Sequence, residues 1–406
     1  MIVYIKFVRV FYILRRINLN KKFQMLILLL GVIVVASTLR APLTAIGPMI
    51  SEIGESLDLP KALLGMLTTI PLIMFGVISP FVARFSRHFG MSVALMVGML
   101  ILLFGLFIRI IPNVPMLLVG TIFIGIGIAI GNVILPSFVK WRFPQQMGLM
   151  TGVFAATMNM TAGIGGGLSV PLSKINNGGY QYSLGFWVLF SIAGILLWLP
   201  QLKFNPRLEV AESKRPIYKS KLAIAIALMM GFQSMNFYST VTWFPDILMS
   251  YGIEQEAAGY YLMLNQFAQL PMTFLMPIIA MKMKNQRPLV FLFTALFLIG
   301  FTALLFNQTI FIVIAMVSTG LAGGAAFSLC MLFFSLRAKT TQDAIELSGF
   351  SQSVGYFVAA VGPMLMGYLH DVFNSHTPSF IMFFVITITM FIFAYISSQN
   401  KYIFDA

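Results

Sequence analysis

The sequence predicts an all-α membrane protein, with twelve transmembrane helices in two parallel six-helix repeats. Three observations predict it. Hydrophobic residues make up 59% of the 406 residues and charged residues 9%, where a soluble domain carries about 25% charged residues. Twelve apolar runs of roughly membrane-crossing length follow one another. In lipid such a run has to be a helix, because no water is present to satisfy open backbone. The basic residues fall in short clusters between the runs, which is how a multi-pass chain sets its orientation.

The first half is expected to span at 25–50, 61–83, 92–111, 115–137, 146–171 and 183–202. The second half is expected to span at 221–248, 257–280, 288–306, 309–335, 344–369 and 377–398. A membrane barrel would show alternating segments of about ten residues instead. Between the halves lies the longest polar stretch, Lys203–Ser220, with Lys203, Arg207, Lys214, Arg215 and Lys219. The domain boundaries that follow are a tail at 1–24, a first half at 25–202, a linker at 203–220, a second half at 221–398 and a tail at 399–406. The other loops are short and leave no room for a soluble catalytic domain.

With the N-terminus in the cytoplasm, 22 of the 26 Lys and Arg fall on the cytoplasmic side. They lie in the first tail, at Arg84 and Arg87, at Lys140 and Arg142, in the linker with Lys221, at Lys282, Lys284 and Arg287, at Arg337 and Lys339, and at Lys401. Lys61, Arg109 and Lys174 fall outside. So do seven of the twelve acids: Glu52, Glu55, Asp58, Asp246, Glu254, Glu256 and Asp371. The net charge of +14 would suggest nucleic acid on a polar domain with a basic face. Here it reports topology, with both termini cytoplasmic and the chain in the cell membrane. Met1–Lys22 mixes apolar residues with Lys6, Arg9, Arg15 and Arg16. It reads either as a helix lying on anionic lipid or as an extension preceding a true start at Met25. No signal-peptide pattern is present. The single Cys330 excludes an internal disulfide.

The halves match at an offset of 197 residues. Pro80 falls on Pro277, Ala83 on Ala280, Lys140 on Arg337, and Thr151-Gly152 on Ser348-Gly349. Agreement on one offset argues for duplication, and two parallel six-helix halves around a midplane site form an alternating-access architecture.

Arg40 is the sharpest chemical signal. A charge deep in a span costs at least about 2.5–3.5 kcal/mol and needs a partner or a wet cavity. No Asp or Glu lies well inside any expected span, so the partner is expected to be an anionic or electron-rich solute, which the guanidinium fork suits. The alternative is an arginine bonded to helix carbonyls. Thr44 follows one turn later on the same face. Span seven holds Gln233, Asn236, Tyr238, Thr242, Trp243 and Pro245, a set able to bind and stack a small polar ligand. It also fits interhelical hydrogen bonding with an aromatic belt. Asn265, Gln266 and Gln269 in span eight, Gln352 and Tyr356 in span eleven, Asn132 in span four and Asn159 in span five complete the polar lining. Helix packing explains each of these last residues as well.

Asp246, Glu346 and His370 lie near span ends, so a proton relay through the membrane is missing. A proton could instead travel with the solute, or coupling could be absent. Gly163–Gly167 lacks the strand and the Gly-Lys-Ser/Thr of a nucleotide loop and reads as close helix packing. His88, His370 and His376 are too scattered for a metal site, and no cofactor is expected.

The spans, the basic linker and the turn Ala83-Arg84-Phe85-Ser86-Arg87-His88-Phe89-Gly90 resemble the major facilitator superfamily, although the usual opening Gly and Asp of that turn are missing. A narrower resemblance rests on Leu39-Arg40-Ala41-Pro42-Leu43-Thr44-Ala45-Ile46-Gly47-Pro48, Gly65-Met66-Leu67-Thr68-Thr69-Ile70-Pro71 and Gly131-Asn132-Val133-Ile134-Leu135-Pro136. It continues in Gly231-Phe232-Gln233-Ser234, Trp243-Phe244-Pro245, Ser348–Tyr356 and Gly362-Pro363. These are similar to the cyanate permease and 2-nitroimidazole transporter branch, with Gln181 standing where that branch tends to carry Arg. The resemblance implies Arg40 on the substrate path. The expected function is secondary active transport of a small anionic or polar planar solute, by a monomer in the bilayer. The expected binding set is Arg40, Thr44, Asn132, Gln233, Tyr238, Trp243, Gln266, Gln352 and Tyr356. Efflux of nitro-heterocycles or drugs is the alternative. An enzyme would need a nucleophile–base pair or clustered metal ligands at membrane depth, and the spans hold neither.

Overall fold

The computed structural model describes residues 21–143, 147–207 and 216–404. The tail at 1–20, residues 208–215 of the linker and the last two residues lie outside the described residues, and with them the reading of Met1–Lys22. Fifteen α-helices are described. In the first half they are α1 (Lys21–Thr38), α2 (Ala41–Thr44), α3 (Ile46–Leu57), α4 (Lys61–Phe89), α5 (Met91–Arg109), α6 (Val114–Arg142), α7 (Met147–Ser173), α8 (Gly179–Gly185) and α9 (Trp187–Trp198). The second half holds α10 (Lys221–Ser250), α11 (Gln255–Lys282), α12 (Arg287–Ala303), α13 (Thr309–Leu336), α14 (Thr341–Phe373) and α15 (Thr377–Ser397). Among the described residues, nine stretches are long and apolar enough to cross a membrane, and α12 is a shorter apolar helix. The long α7 and α14 are not among the nine. Thr, Asn, Gly and Ser dilute α7, and α14 carries Asp343, Glu346, His370 and Asp371.

The polarity is arranged for lipid. Large apolar side chains such as Phe81, Leu189, Ile278, Phe291, Val385 and Ile392 are exposed, while Gln233, Asn236, Thr242, Asn265, Gln266 and Gln269 are buried. A soluble protein would bury the first group and wet the second.

The chain expected to cross as one span at 25–50 is broken twice. Pro42 has no N–H to return to the Thr38 carbonyl, so α1 ends at Thr38 and Leu39–Arg40 turn out of the helix. Pro48 does the same to the Thr44 carbonyl, and α3 restarts after Ala45. Arg40 therefore sits at an irregular point inside the membrane segment, where freed backbone needs other partners.

The helices before the linker meet those after it through α4 on α14, α7 on α11, and α3 on α10. Two glycines permit that approach. A Cβ on Gly47 would stand 2.1 Å from the Val241 carbonyl oxygen, and one on Gly65 would stand 2.4 Å from that of Pro363. Small residues let helices approach in lipid, where no hydrophobic force drives them together. The Gly163–Gly167 run does the same work. Gly163 faces Phe267, Gly165 faces Ala41 and Thr44, and Gly166 faces Leu262.

Several hydrogen bonds join the halves. Thr242 donates to Thr68 at 2.9 Å, Thr69 to the Ala360 carbonyl at 2.7 Å, and Ser353 to that of Gly76 at 3.0 Å. Others lie at the end of the bundle opposite the linker, the far end. There the Gln255 amide donates to the Pro48 carbonyl at 2.7 Å, Lys174 pairs with Glu256, and Lys61 pairs with Asp246 at 2.6 Å.

Candidate functional site

Arg40 points from the break between α1 and α2 into the centre of the bundle. Its Nη1 donates to Asn159 Oδ1 of α7 at 3.4 Å. Its Cζ lies 4.5 Å from the Phe237 ring centroid and 5.5 Å from that of Phe327. Among the described residues it forms no ion pair with a carboxylate. Aromatic faces attract the cation by about 0.5–2 kcal/mol each, and one long neutral hydrogen bond adds little. The guanidinium thus keeps most of its donor capacity uncommitted.

A narrow cavity of about 10 Å³, room for about one water in this state, lies beside it, lined by Arg40, Gln233, Ser234, Phe237, Tyr238, Gln269, Phe327 and Tyr356. Helical spacing explains the α10 contribution. Gln233 and Phe237, and Ser234 and Tyr238, are pairs at i, i+4 on one face. Gln269 comes from α11, Phe327 from α13 and Tyr356 from α14, where Phe75 of α4 packs edge-on to the Tyr356 ring at 5.1 Å. Both halves contribute to the lining.

The structure brings Arg40, Gln233, Tyr238 and Tyr356 of the expected set together at this cavity. The other five lie elsewhere. Thr44 donates to the Ala41 carbonyl at 3.2 Å and packs on Gly165. Trp243 Nε1 donates to the Pro363 carbonyl at 2.8 Å, holding α10 to α14. Gln266 donates to Asn265 Oδ1 at 3.1 Å and lies against Gly163. Gln352 donates to Ser348 one turn back. Asn132 is half-buried on α6 and does not line the cavity. Sequence reasoning missed Ser234, Phe237 and Phe327 as lining residues, and it left Gln269 and Asn159 to packing.

A second arginine, which the sequence reading counted on the outer side at the end of the span 92–111, is buried. Arg109 closes α5 and is fully buried. It folds back so that Nη1 donates to the Pro42 carbonyl at 2.9 Å. That carbonyl belongs to the single turn α2, just after the break at Leu39–Arg40. Arg109 therefore holds the backbone two residues from Arg40.

Among the described residues no group of three or more His, Cys, Asp or Glu is placed to hold a metal ion. The cavity can offer a cation fork, two amides, two phenols and aromatic faces. That set suits recognition of a small polar or anionic planar molecule.

The family model described as Major Facilitator Superfamily matches residues 26–358. The chain is 38% identical over 392 residues to the uncharacterized transporter YycB of Bacillus subtilis (strain 168), covering 95% of this chain and 97% of the other. It is 34% identical to the 2-nitroimidazole transporter of Escherichia coli (strain K12), covering 93% and 96%. It is 23% identical to the cyanate transport protein CynX of the same organism, covering 86% and 91%. In fold, it resembles a D-xylose-proton symporter with a TM-score of 0.72 at 15% identity, covering 93% of this chain and 99% of the other. A bacterial homologue of the human lysosomal transporter Spinster, inward-facing and unoccupied, gives 0.73 at 14% identity, covering 94% and 99%.

Proposed function

The chain belongs to the major facilitator superfamily as a transporter rather than an enzyme, and from that premise we propose that it moves a small anionic or polar planar solute by alternating access. Twelve spans form two six-helix halves, 25–202 and 221–398, joined by the cytoplasmic linker, and the monomer sits in the cell membrane with both termini cytoplasmic. The halves rock around the central cavity. Arg40 supplies the positive partner for the solute's electron-rich end, and Gln233, Gln269, Tyr238 and Tyr356 orient the remainder. The far-end contacts shield the cavity from one face in this state.

The observation that carries this reading is Arg40 itself. It is a guanidinium at a helix break inside the membrane, bordered by two aromatic rings and an amide and opening on a cavity. A half-buried cation so placed inside the membrane is costly unless something arrives to neutralise it. The test is solute uptake into vesicles carrying wild type or Arg40→Ala at equal expression, across cyanate, small carboxylates and nitro-heterocycles. Uptake lost in the variant is the expected result, and unchanged uptake overturns the role of Arg40.

A second reading, efflux of nitro-heterocycles or drugs, is favoured by the aromatic lining. Phe237, Phe327, Tyr238 and Tyr356 can stack a heteroaromatic ring, and the relative at 34% identity is named for 2-nitroimidazole. Deleting the gene separates the two. Cells that accumulate more of the compound export it, and cells that accumulate less import it.

A further inference from the structure

Six side chains separated in sequence converge at the far end, away from the central cavity. Lys61 opens α4, and Ser51 lies on α3; both belong to the first half. Asp246 of α10, His370 and Asp371 of α14, and His376 before α15 belong to the second. Lys61 Nζ stands 2.6 Å from Asp246 Oδ2 and 3.3 Å from His370 Nε2. Ser51 donates to Asp246 Oδ1 at 3.0 Å, and His376 Nε2 lies 3.5 Å from Asp246 Oδ2. The two imidazole rings are 4.5 Å apart. Asp371 accepts from the backbone N–H groups of Lys61 and Ala62, at 3.0 and 2.7 Å, and so caps α4 from across the interface.

We propose that this cluster is the protein's proton-coupling site: opening of the far end lets His370 and His376 take up protons, so acid on that face drives the gate open. The proposal rests on the two halves rocking as described above. Lys61 locks the closed state. The Lys61 ammonium can only donate, so His370 Nε2 has to accept, and His370 is neutral in this state with its proton on Nδ1. The charged groups acting on the two rings are Lys61, Asp246 and Asp371. When the halves part, Lys61 and Ser51 leave with the first half. Both histidines stay with Asp246 and Asp371 and meet water. A site holding one cation and two anions becomes a site with two anions and two unpaired imidazoles, and protonation restores its balance.

The titration follows the same geometry. In the closed state burial pushes His376 down to about 4, with Asp246 opposing the fall and Lys61 and His370 adding to it. Burial first and Lys61 second lower His370 in the same direction. In the open state an imidazole returns to an ordinary value of about 6.5. The closed state thus binds fewer protons. Its advantage is complete above about pH 6.5 and is lost as pH falls from there toward about 4. For His376 alone, going from pH 8 to pH 5 raises the open-to-closed ratio by about 30-fold.

The test uses the full chain with Cys330→Ala, purified into lipid bilayers and spin-labelled at Ser56→Cys and Ser250→Cys. These exposed far-end positions lie on opposite halves. Distance distributions are recorded at pH 8 and pH 5, with and without 2-nitroimidazole. The expected result is a longer distance at pH 5, with a population ratio shifted by at least tenfold, and no such shift in His370→Asn/His376→Asn. Lys61→Gln should already populate the long distance at pH 8, which checks the lock without touching a histidine. A wild-type distribution insensitive to pH overturns the proposal, and so does a double-histidine variant that shifts as wild type does. Movement with the compound but not with pH would leave the rocking halves standing while removing the proton site. Movement under neither condition would remove both.

Discussion

Two arginines lie inside the bundle without an acidic partner among the described residues, and their surroundings differ. Arg109 sits at the last turn of α5 and folds back to the Pro42 carbonyl; it faces no cavity of the central site. Arg40 sits at a helix break, makes one long hydrogen bond to an amide, and borders the cavity with aromatic rings beside it. The first arginine supports backbone. The second lies between aromatic rings that attract a cation without using up its donors, as the proposed solute role requires. Arg109 is fully buried against backbone, whereas Arg40 is half-buried and borders the cavity.

That contrast predicts a division of effects. Arg109→Ala strips the Pro42 carbonyl of its donor and opens a side-chain void, so it should lower stability by about 3 kcal/mol, read by thermal unfolding in detergent. Arg40→Ala should cost about 100-fold in transport efficiency, as losing a charge-assisted contact does, with little change in unfolding temperature. If the two variants exchanged these signatures, the contrast would collapse. Tyr238→Phe and Tyr356→Phe should each weaken solute binding by about 3–10-fold, the worth of one hydrogen bond, as measured by titration calorimetry. Asn159→Ala should cost about threefold or less, since its contact with Arg40 is long. Trp243→Phe should leave affinity within about twofold and lower stability by about 1 kcal/mol, because its indole donates to the Pro363 carbonyl rather than to the cavity.

The helical organisation was legible because lipid forces it. Long apolar runs and clustered Lys and Arg leave few other solutions. Arg40 was legible for the same reason, since a charge in the middle of an apolar run announces its cost. Gln233, Tyr238 and Tyr356 were legible as polar residues at helical spacing. Phe237 and Phe327 carried no such mark. Among 39 phenylalanines, an aromatic that touches a guanidinium looks like one that touches lipid. Arg109 was placed outside because it ends an apolar run, and only the fold shows the chain turning it inward. The histidines looked scattered because their cluster needs Lys61, 309 residues before His370. Thr44 and Trp243 share spans with cavity residues, but their hydrogen bonds commit them to packing.

The most direct test of Arg40 as the solute's partner is equilibrium binding to purified wild type, Arg40→Lys and Arg40→Ala, using 2-nitroimidazole and small carboxylates as probes. A planar fork that receives a planar acceptor is not replaced by a point charge. The account predicts measurable binding to wild type and a loss of about tenfold or more in both variants, with all three proteins equally folded. Binding retained by Arg40→Ala at wild-type affinity would contradict it.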